Sequence, residues 1–278
     1  MLPDNTLCLC IAGTDTNAGK TVVTAALARA AVAAGLRTLV IKPVQTGSIP
    51  DALGKLQPPD LAVCREAAPG ADTRFLAQFA PACSPHLAAR LEARFETGSG
   101  ETSLTARDLA EGIGRTVREW GAPEASGANV PGPCRRLVLL EGAGGLLTPL
   151  GASETLADLF SLLGWPVLLV VANRLGAINH ALLSLEVLRS RNLACPGFIM
   201  AEVQEARSEL DRVIRRDNPL ITTSLGKRPC LAELPHVPGL NAPDLPDREA
   251  AWDTAARELG SVLKAVGAAG NTPPFFAL

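Results

Sequence analysis

A doubly wound α/β fold, with a mostly parallel sheet flanked by helices, is predicted by three observations. Short runs rich in Val, Leu and Ile recur along the chain. Most are apolar at nearly every position instead of alternating, as strands covered on both faces must be. Between them stand alanine- and leucine-rich stretches with helical spacing, so strand and helix alternate. The 278 residues, 47% of them apolar, suffice for one sizeable domain with a buried core.

The expected strands are residues 6–12, 37–42, 136–141, 167–172 and 197–200. In the first, Cys8 and Cys10 alternate with Leu7 and Leu9, as core-facing positions would. A helix is expected over 20–34, closed by Gly35. Leu109, Ile113, Val117 and Trp120 share one face of a helix starting near Thr105. Trp252, Ala256, Leu259, Leu263 and Val266 do the same near the C-terminus, with Pro246-Asp247 as the start signal. Residues 121–133, rich in Gly, Pro, Ala and Ser, read as a surface loop, and 268–278 as a loose tail. Neither divides the chain, so one domain is expected over 1–267.

Composition narrows the function. The formal net charge is −2, from 26 basic and 28 acidic residues spread along the chain. No broad positive field exists for nucleic acid or an anionic membrane, so neither partner is expected. Aromatic residues make up 4%, with no tyrosine, which also argues against base-stacking platforms. Seven cysteines without a CxxC pair suit reduced, buried thiols rather than a disulfide framework. His86, His180 and His236 are far apart, so no zinc site is expected. The opening Met1-Leu2-Pro3-Asp4-Asn5 lacks the basic start of a secretion signal, and the apolar run Trp165 to Ala172 is too short to cross a bilayer. A cytoplasmic location is expected.

The first strand runs into Gly13-Thr14-Asp15-Thr16-Asn17-Ala18-Gly19-Lys20-Thr21-Val22, where the alanine-rich helix begins. Triphosphate oxygens need several backbone N–H donors at once, and glycines let the main chain approach closely. The new helix adds unpaired N–H groups and a partial positive charge. Lys20 supplies a cation for the outer phosphates, and the Thr21 hydroxyl can coordinate Mg²⁺. This is a P-loop, with one departure: five residues separate Gly13 from Gly19, where the usual pattern has four.

In open α/β sheets, ligands gather at the carboxyl ends of the strands. The apolar strand 136–140 ends in Glu141, followed by Gly142-Ala143-Gly144-Gly145, which places a carboxylate where a metal could sit. Lys42-Pro43-Val44-Gln45-Thr46-Gly47 ends another strand; Lys42 there is either a cation aimed into the crevice or a solvated lysine. Asp60, after Pro58-Pro59, reads locally as a helix N-cap.

Together these segments resemble the dethiobiotin synthetase family, over about residues 7 to 240. In that family the five-residue spacing GTDT-x-x-GKT is the normal form. Lys42-Pro43-Val44, Ser84-Pro85-His86, Glu141-Gly142-Ala143-Gly144-Gly145 with Thr148-Pro149-Leu150, and Leu175-Gly176-Ala177-Ile178-Asn179-His180 match its pattern in order. The resemblance implies an ATP-dependent enzyme of biotin synthesis, joining 7,8-diaminononanoate and CO₂ into a cyclic urea. It implies Mg²⁺ ligands at Thr21, Asp60 and Glu141, catalytic lysines at Lys42 and Lys20, and a substrate contact at Thr46. It also implies a homodimer in which Gly176, Ala177, Ile178 and Asn179 reach the substrate carboxylate across the interface. Pro235-His236-Val237 resembles a nucleobase-lining segment. The family's purine-reading asparagine is replaced here by Ala201-Glu202, which implies weaker selection among nucleoside triphosphates. No nucleophilic side chain is needed for that chemistry, and none with a base partner is evident.

Two rival readings weaken on the same residues. Septum-placing and chromosome-partitioning ATPase switches carry an extra lysine early in the loop, where this chain has Gly13-Thr14-Asp15-Thr16, and its residues 270–278 hold no basic side chain. Corrinoid-amidating enzymes bring a glutaminase domain, for which the chain has little room.

Overall fold

The computed structural model describes residues 3, 5–97, 104–122, 135–238, 240 and 248–270. The chain order is β1 (Thr6–Gly13), α1 (Lys20–Ala33), β2 (Arg37–Gln45), β3 (Ile49–Pro50), β4 (Leu56–Gln57), α2 (Pro59–Ala67), β5 (Asp72–Gln78) and α3 (Pro85–Thr97). It continues with α4 (Ala106–Gly121), β6 (Arg136–Gly145), α5 (Leu156–Leu163), β7 (Val167–Ala172), α6 (Ala177–Ser190), β8 (Phe198–Ala201), α7 (Glu209–Gly226), β9 (Cys230–Leu234) and α8 (Arg248–Gly270).

A seven-stranded sheet runs in the order β5-β2-β6-β1-β7-β8-β9, and its neighbouring strands pair in parallel. Strands β3 and β4 form a separate antiparallel pair. Apolar side chains cover both faces of the sheet. In β1, Cys8, Cys10 and Ala12 join the core beneath α3 to α6, while Leu9 and Ile11 join the core beneath α1, α2 and α8. Two buried faces explain why the strands read as continuous apolar runs. Burial also pushes the Cys8 thiol up to about 12, and Cys10 well above its ordinary value, so these thiols are packing groups.

The helix faces expected from spacing are the buried ones: Leu109, Ile113, Val117 and Trp120 on α4, and Trp252, Ala256, Leu259 and Val266 on α8. Thr105 caps α4 by accepting a hydrogen bond from the Asp108 N–H. Three boundaries differ from expectation. β2 continues past Pro43 to Gln45, because its pairing with β6 ends at Ile41 and only β5 remains alongside. A proline is tolerated where the strand has lost one neighbour. β6 continues through the glycines to Gly145, and α8 extends to Gly270, into the segment read as tail. The start signal Pro246-Asp247, most of the 121–133 loop and residues 271–278 lie outside the described residues.

Candidate active site

The phosphate loop leaves β1 with Gly13 and enters α1 through Gly19, and backbone geometry requires both glycines. A Cβ on Gly13 would lie 2.8 Å from the Asp15 carbonyl and 2.9 Å from Lys20 Nζ. Gly19 is the N-cap of α1 at φ 92°, a left-handed conformation that costs other residues. The loop is therefore wrapped around the Lys20 side chain, which is 4% exposed and donates to the carbonyls of Asp15 (2.8 Å) and Thr16 (3.2 Å). Burial, and then the positive charge of Lys42, lower its pKa to about 8 against the opposing pull of nearby carboxylates. An anion placed against Lys20 favours its charged form.

The acidic side draws on four elements, β2, α2, β6 and α1. Lys42 Nζ, at the carboxyl end of β2, lies 2.6 Å from Asp60 Oδ2 and 2.8 Å from Glu141 Oε1, and donates to the Gly142 carbonyl at 3.3 Å. Thr21 Oγ1 donates to the same Glu141 Oε1 at 2.8 Å. Lys42 is buried, so the solvated-lysine reading does not hold. Burial lowers its pKa, but the Glu141 and Asp60 carboxylates outweigh that and hold it above the ordinary lysine value. Asp60 is not the cap of α2; Pro58 occupies that position, and the Asp60 carboxylate turns to Lys42. Glu141 is 1% exposed, and its Oε2 has no hydrogen-bond partner.

Two cavities meet at the phosphate loop, sharing Thr16, Asn17, Lys20 and Thr21. One, of about 520 Å³, runs past Val22 to Ala201–Gln204 and to Leu234, Pro235, His236 and Val237. The other, of about 550 Å³, holds Lys42, Thr46, Asp60, Glu141, Ala143 and Gly144. Lys20 and Lys42 thus face one space. Thr14 pins the loop by donating its N–H to the Val170 carbonyl, Ala18 is fully buried, and Asp15 pairs with Arg174 at 3.1 Å. Gly176, Ala177, Ile178 and Asn179 form the start of α6 and line neither cavity.

Several lining residues were not singled out from sequence. Gln45 is buried beside Asp60, because β2 is longer than its apolar run suggests. Cys83 enters from the turn before α3, and Val203 and Gln204 follow β8; Ser84, from the matched Ser84-Pro85-His86 segment but given no role there, also lines the cavity. Ser84 Oγ and His86 Nδ1 are 3.0 Å apart, so a hydroxyl with a base partner does line the cavity, contrary to expectation.

Among the described residues, no helix is long and apolar enough to cross a membrane, and no group of three or more His, Cys, Asp or Glu side chains could cage a metal. Among solved structures, the septum site-determining protein MinD complexed with Mg-ADP from Pyrococcus horikoshii OT3 superposes with a TM-score of 0.53 at 16% identity, covering 94% of this chain and 98% of that one. The cell division ATPase MinD of Pyrococcus furiosus gives 0.50 at 16% identity, covering 92% and 99%. At such identities the likeness concerns the fold alone.

A family model described as an AAA domain matches residues 8–244. The ATP-dependent dethiobiotin synthetase BioD of Pseudomonas aeruginosa (strain UCBPP-PA14) is 40% identical over 230 residues, covering 82% of this chain and 89% of its own. The protein of the same name from Anaeromyxobacter sp. (strain K) is 36% identical over 260 residues, covering 92% and 97%. Relatedness that strong, sustained along nearly the full length of both relatives, places the chain in the ATP-dependent dethiobiotin synthetase family.

Proposed function

We propose that this protein converts 7,8-diaminononanoate, CO₂ and ATP into a cyclic urea, ADP and phosphate, in biotin synthesis. The observation that carries the reading is the pair of cavities joined at Lys20: one suits a nucleoside, the other a small molecule facing its terminal phosphate. One amine of the substrate captures CO₂ as a carbamate, whose oxygen attacks the γ-phosphate. The second amine then closes the ring on the carbamic–phosphoric anhydride and expels phosphate.

The costly encounter is between two anions. Unit charges ~4 Å apart at an effective dielectric of ~20 repel by roughly 4 kcal/mol. Lys20 and Lys42, facing one cavity, oppose that repulsion and stabilise the transferring phosphoryl group. Thr46 lines the same cavity as Lys42, where the carbamate would bind. Having both amines on one molecule makes ring closure intramolecular.

Thr21, Asp60 and Glu141 would hold Mg²⁺. Two carboxylates and a hydroxyl, with Glu141 Oε2 left without a partner, suit a cation that completes its shell with phosphate oxygens and water. Mg²⁺ bound there would neutralise charge on the outer phosphates. Lys42 keeps the two carboxylates together.

The nucleobase would lie against Ala201, Glu202, Pro235, His236 and Val237. Ala201 offers only a methyl group, and the Glu202 carboxylate is engaged by Arg215 at 3.0 Å. Without the family's asparagine amide at this position, readout of the base is weaker. We expect kcat/KM for ATP, CTP and GTP to fall within about tenfold of one another, since a neutral hydrogen bond contributes about 1 kcal/mol. A preference for ATP beyond a hundredfold would sink the idea.

A homodimer accounts for the start of α6. Asn179 and Leu183 are exposed on one face of α6, Leu175 just before it is 79% exposed, and Leu220 on the neighbouring α7 is 68% exposed. Apolar exposure at this density suits a partner surface. A second copy would bring Gly176–Asn179, with the free N–H groups of a helix start, to the substrate carboxylate. Light scattering should give the mass of two chains, and Leu183→Glu should halve it and raise KM for the diamine. A monomeric parent protein excludes this arrangement.

The test of the function is direct. Pure protein incubated with the diamine, bicarbonate, Mg²⁺ and ATP should form the ureido product by mass; its absence refutes the reading.

A further inference from the structure

Ring closure requires something the two lysines do not supply. As the second amine attacks the anhydride carbon, it must lose a proton, and a group must take it. Lys42 is hydrogen-bonded to both Asp60 and Glu141, Lys20 to two loop carbonyls, and the remaining Glu141 Oε2 is assigned above to Mg²⁺.

Ser84 stands apart. It occupies the cap position before α3, where its carbonyl accepts from the N–H groups of Leu87 (3.0 Å) and Ala88 (2.9 Å). A serine there ordinarily turns its hydroxyl onto a backbone N–H. Here the hydroxyl instead meets His86 Nδ1 at 3.0 Å, and Ser84 lines the cavity that contains Lys42. The His86 backbone N–H donates to the Pro149 carbonyl at 3.3 Å, which fixes the pair against the loop after β6. Both residues are half-buried. With the Ser84 hydroxyl as donor, Nδ1 is the acceptor and Nε2 carries the ring hydrogen.

We infer that Ser84 and His86 form the proton acceptor for ring closure, and this rests on the reaction proposed above. The amine nitrogen forms its bond to the anhydride carbon, the bond from that carbon to the phosphate oxygen breaks, and phosphate leaves with the electron pair. The amine proton passes to Ser84 Oγ, whose own proton moves to His86 Nδ1. A neutral hydroxyl suits the task, because a carboxylate at that place would hold the amine as an unreactive ammonium. The charged groups facing the cavity from other elements are Lys20 on α1, Lys42 on β2, Asp60 on α2 and Glu141 on β6. On α3, Arg90 follows one turn after His86, and Glu92 is turned onto the Ala80 N–H. In the loop carrying Pro149, Glu154 is turned onto the Ala106 N–H.

The experiment follows ureido product and released phosphate for the parent enzyme, His86→Gln and Ser84→Ala, across pH 6–9. We expect kcat for the product to fall about 100-fold in each variant, with KM for ATP changed less than about threefold. Any acid-side loss of rate in the parent should disappear in both. Phosphate should exceed product, because water then intercepts the anhydride. A purely structural pair would lower the rate alike at every pH with one phosphate per product, and that result overturns the inference, as does kcat within about threefold of the parent. Should His86→Gln not fold, Ser84→Ala decides, since its hydroxyl caps no backbone group. A parent enzyme that makes no ureido product refutes the function itself; an active parent with unaffected variants refutes this inference alone.

Discussion

Replacing Lys42 with glutamine should lower turnover by about two to three orders of magnitude while leaving ATP affinity within a few-fold of the parent. The side chain is 4% exposed and its ammonium lies 2.6 Å from Asp60 and 2.8 Å from Glu141. Those carboxylates keep it charged in spite of burial. Glutamine retains polarity and approximate size but removes the charge that opposes carbamate–phosphate repulsion, a term of roughly 4 kcal/mol at an effective dielectric of ~20. Nucleotide binding would persist, because the loop amides and Lys20 lie on β1 and α1 and do not depend on Lys42. Steady-state product formation with parallel titration of ATP separates the two effects. Near-parental turnover removes Lys42 from the chemistry.

The second large effect falls on stability. Glu141→Leu should destabilise the nucleotide-free protein by about 3 kcal/mol, lowering Tm by roughly 5–10 °C at neutral pH. Glu141 is 1% exposed and accepts from both Thr21 Oγ1 and Lys42 Nζ at 2.8 Å. Removing it leaves the buried Lys42 ammonium with one carboxylate where it had two. Adding Lys42→Met should recover part of the loss, because two apolar groups need no compensation. Thermal unfolding of the two single variants and the double variant gives the coupling directly. A Tm for Glu141→Leu within about 1 °C of the parent would mean that the pair contributes nothing to the fold.

Most of the fold was legible because the signals are local. Uninterrupted apolar runs marked β1, β2, β6, β7 and β8, since each is buried on both faces. The edge strand β5, Asp72–Gln78, escaped because it is only half covered and contains Asp72, Arg74 and Gln78. Helix α7 holds Pro219 in its interior and buries chiefly polar side chains, among them Arg215 and Asn218, so apolar spacing does not reveal it. The loop from Gly13 to Thr21 was readable for the opposite reason: everything needed to receive a phosphate is consecutive in the chain.

The sequence by itself determined the phosphate loop, the alternation of strand and helix, and the family. Only the tertiary structure decided that Lys42, Asp60 and Glu141 meet, and that Ser84 shares their cavity with an imidazole behind it. These groups come from β2, α2, β6 and the turn before α3, and they converge because β6 inserts between β2 and β1. Parallel strands buried on both faces carry nearly interchangeable apolar runs, so their order in the sheet is set by how the helices pack over them. That packing is long-range, and no local pattern of residues encodes it.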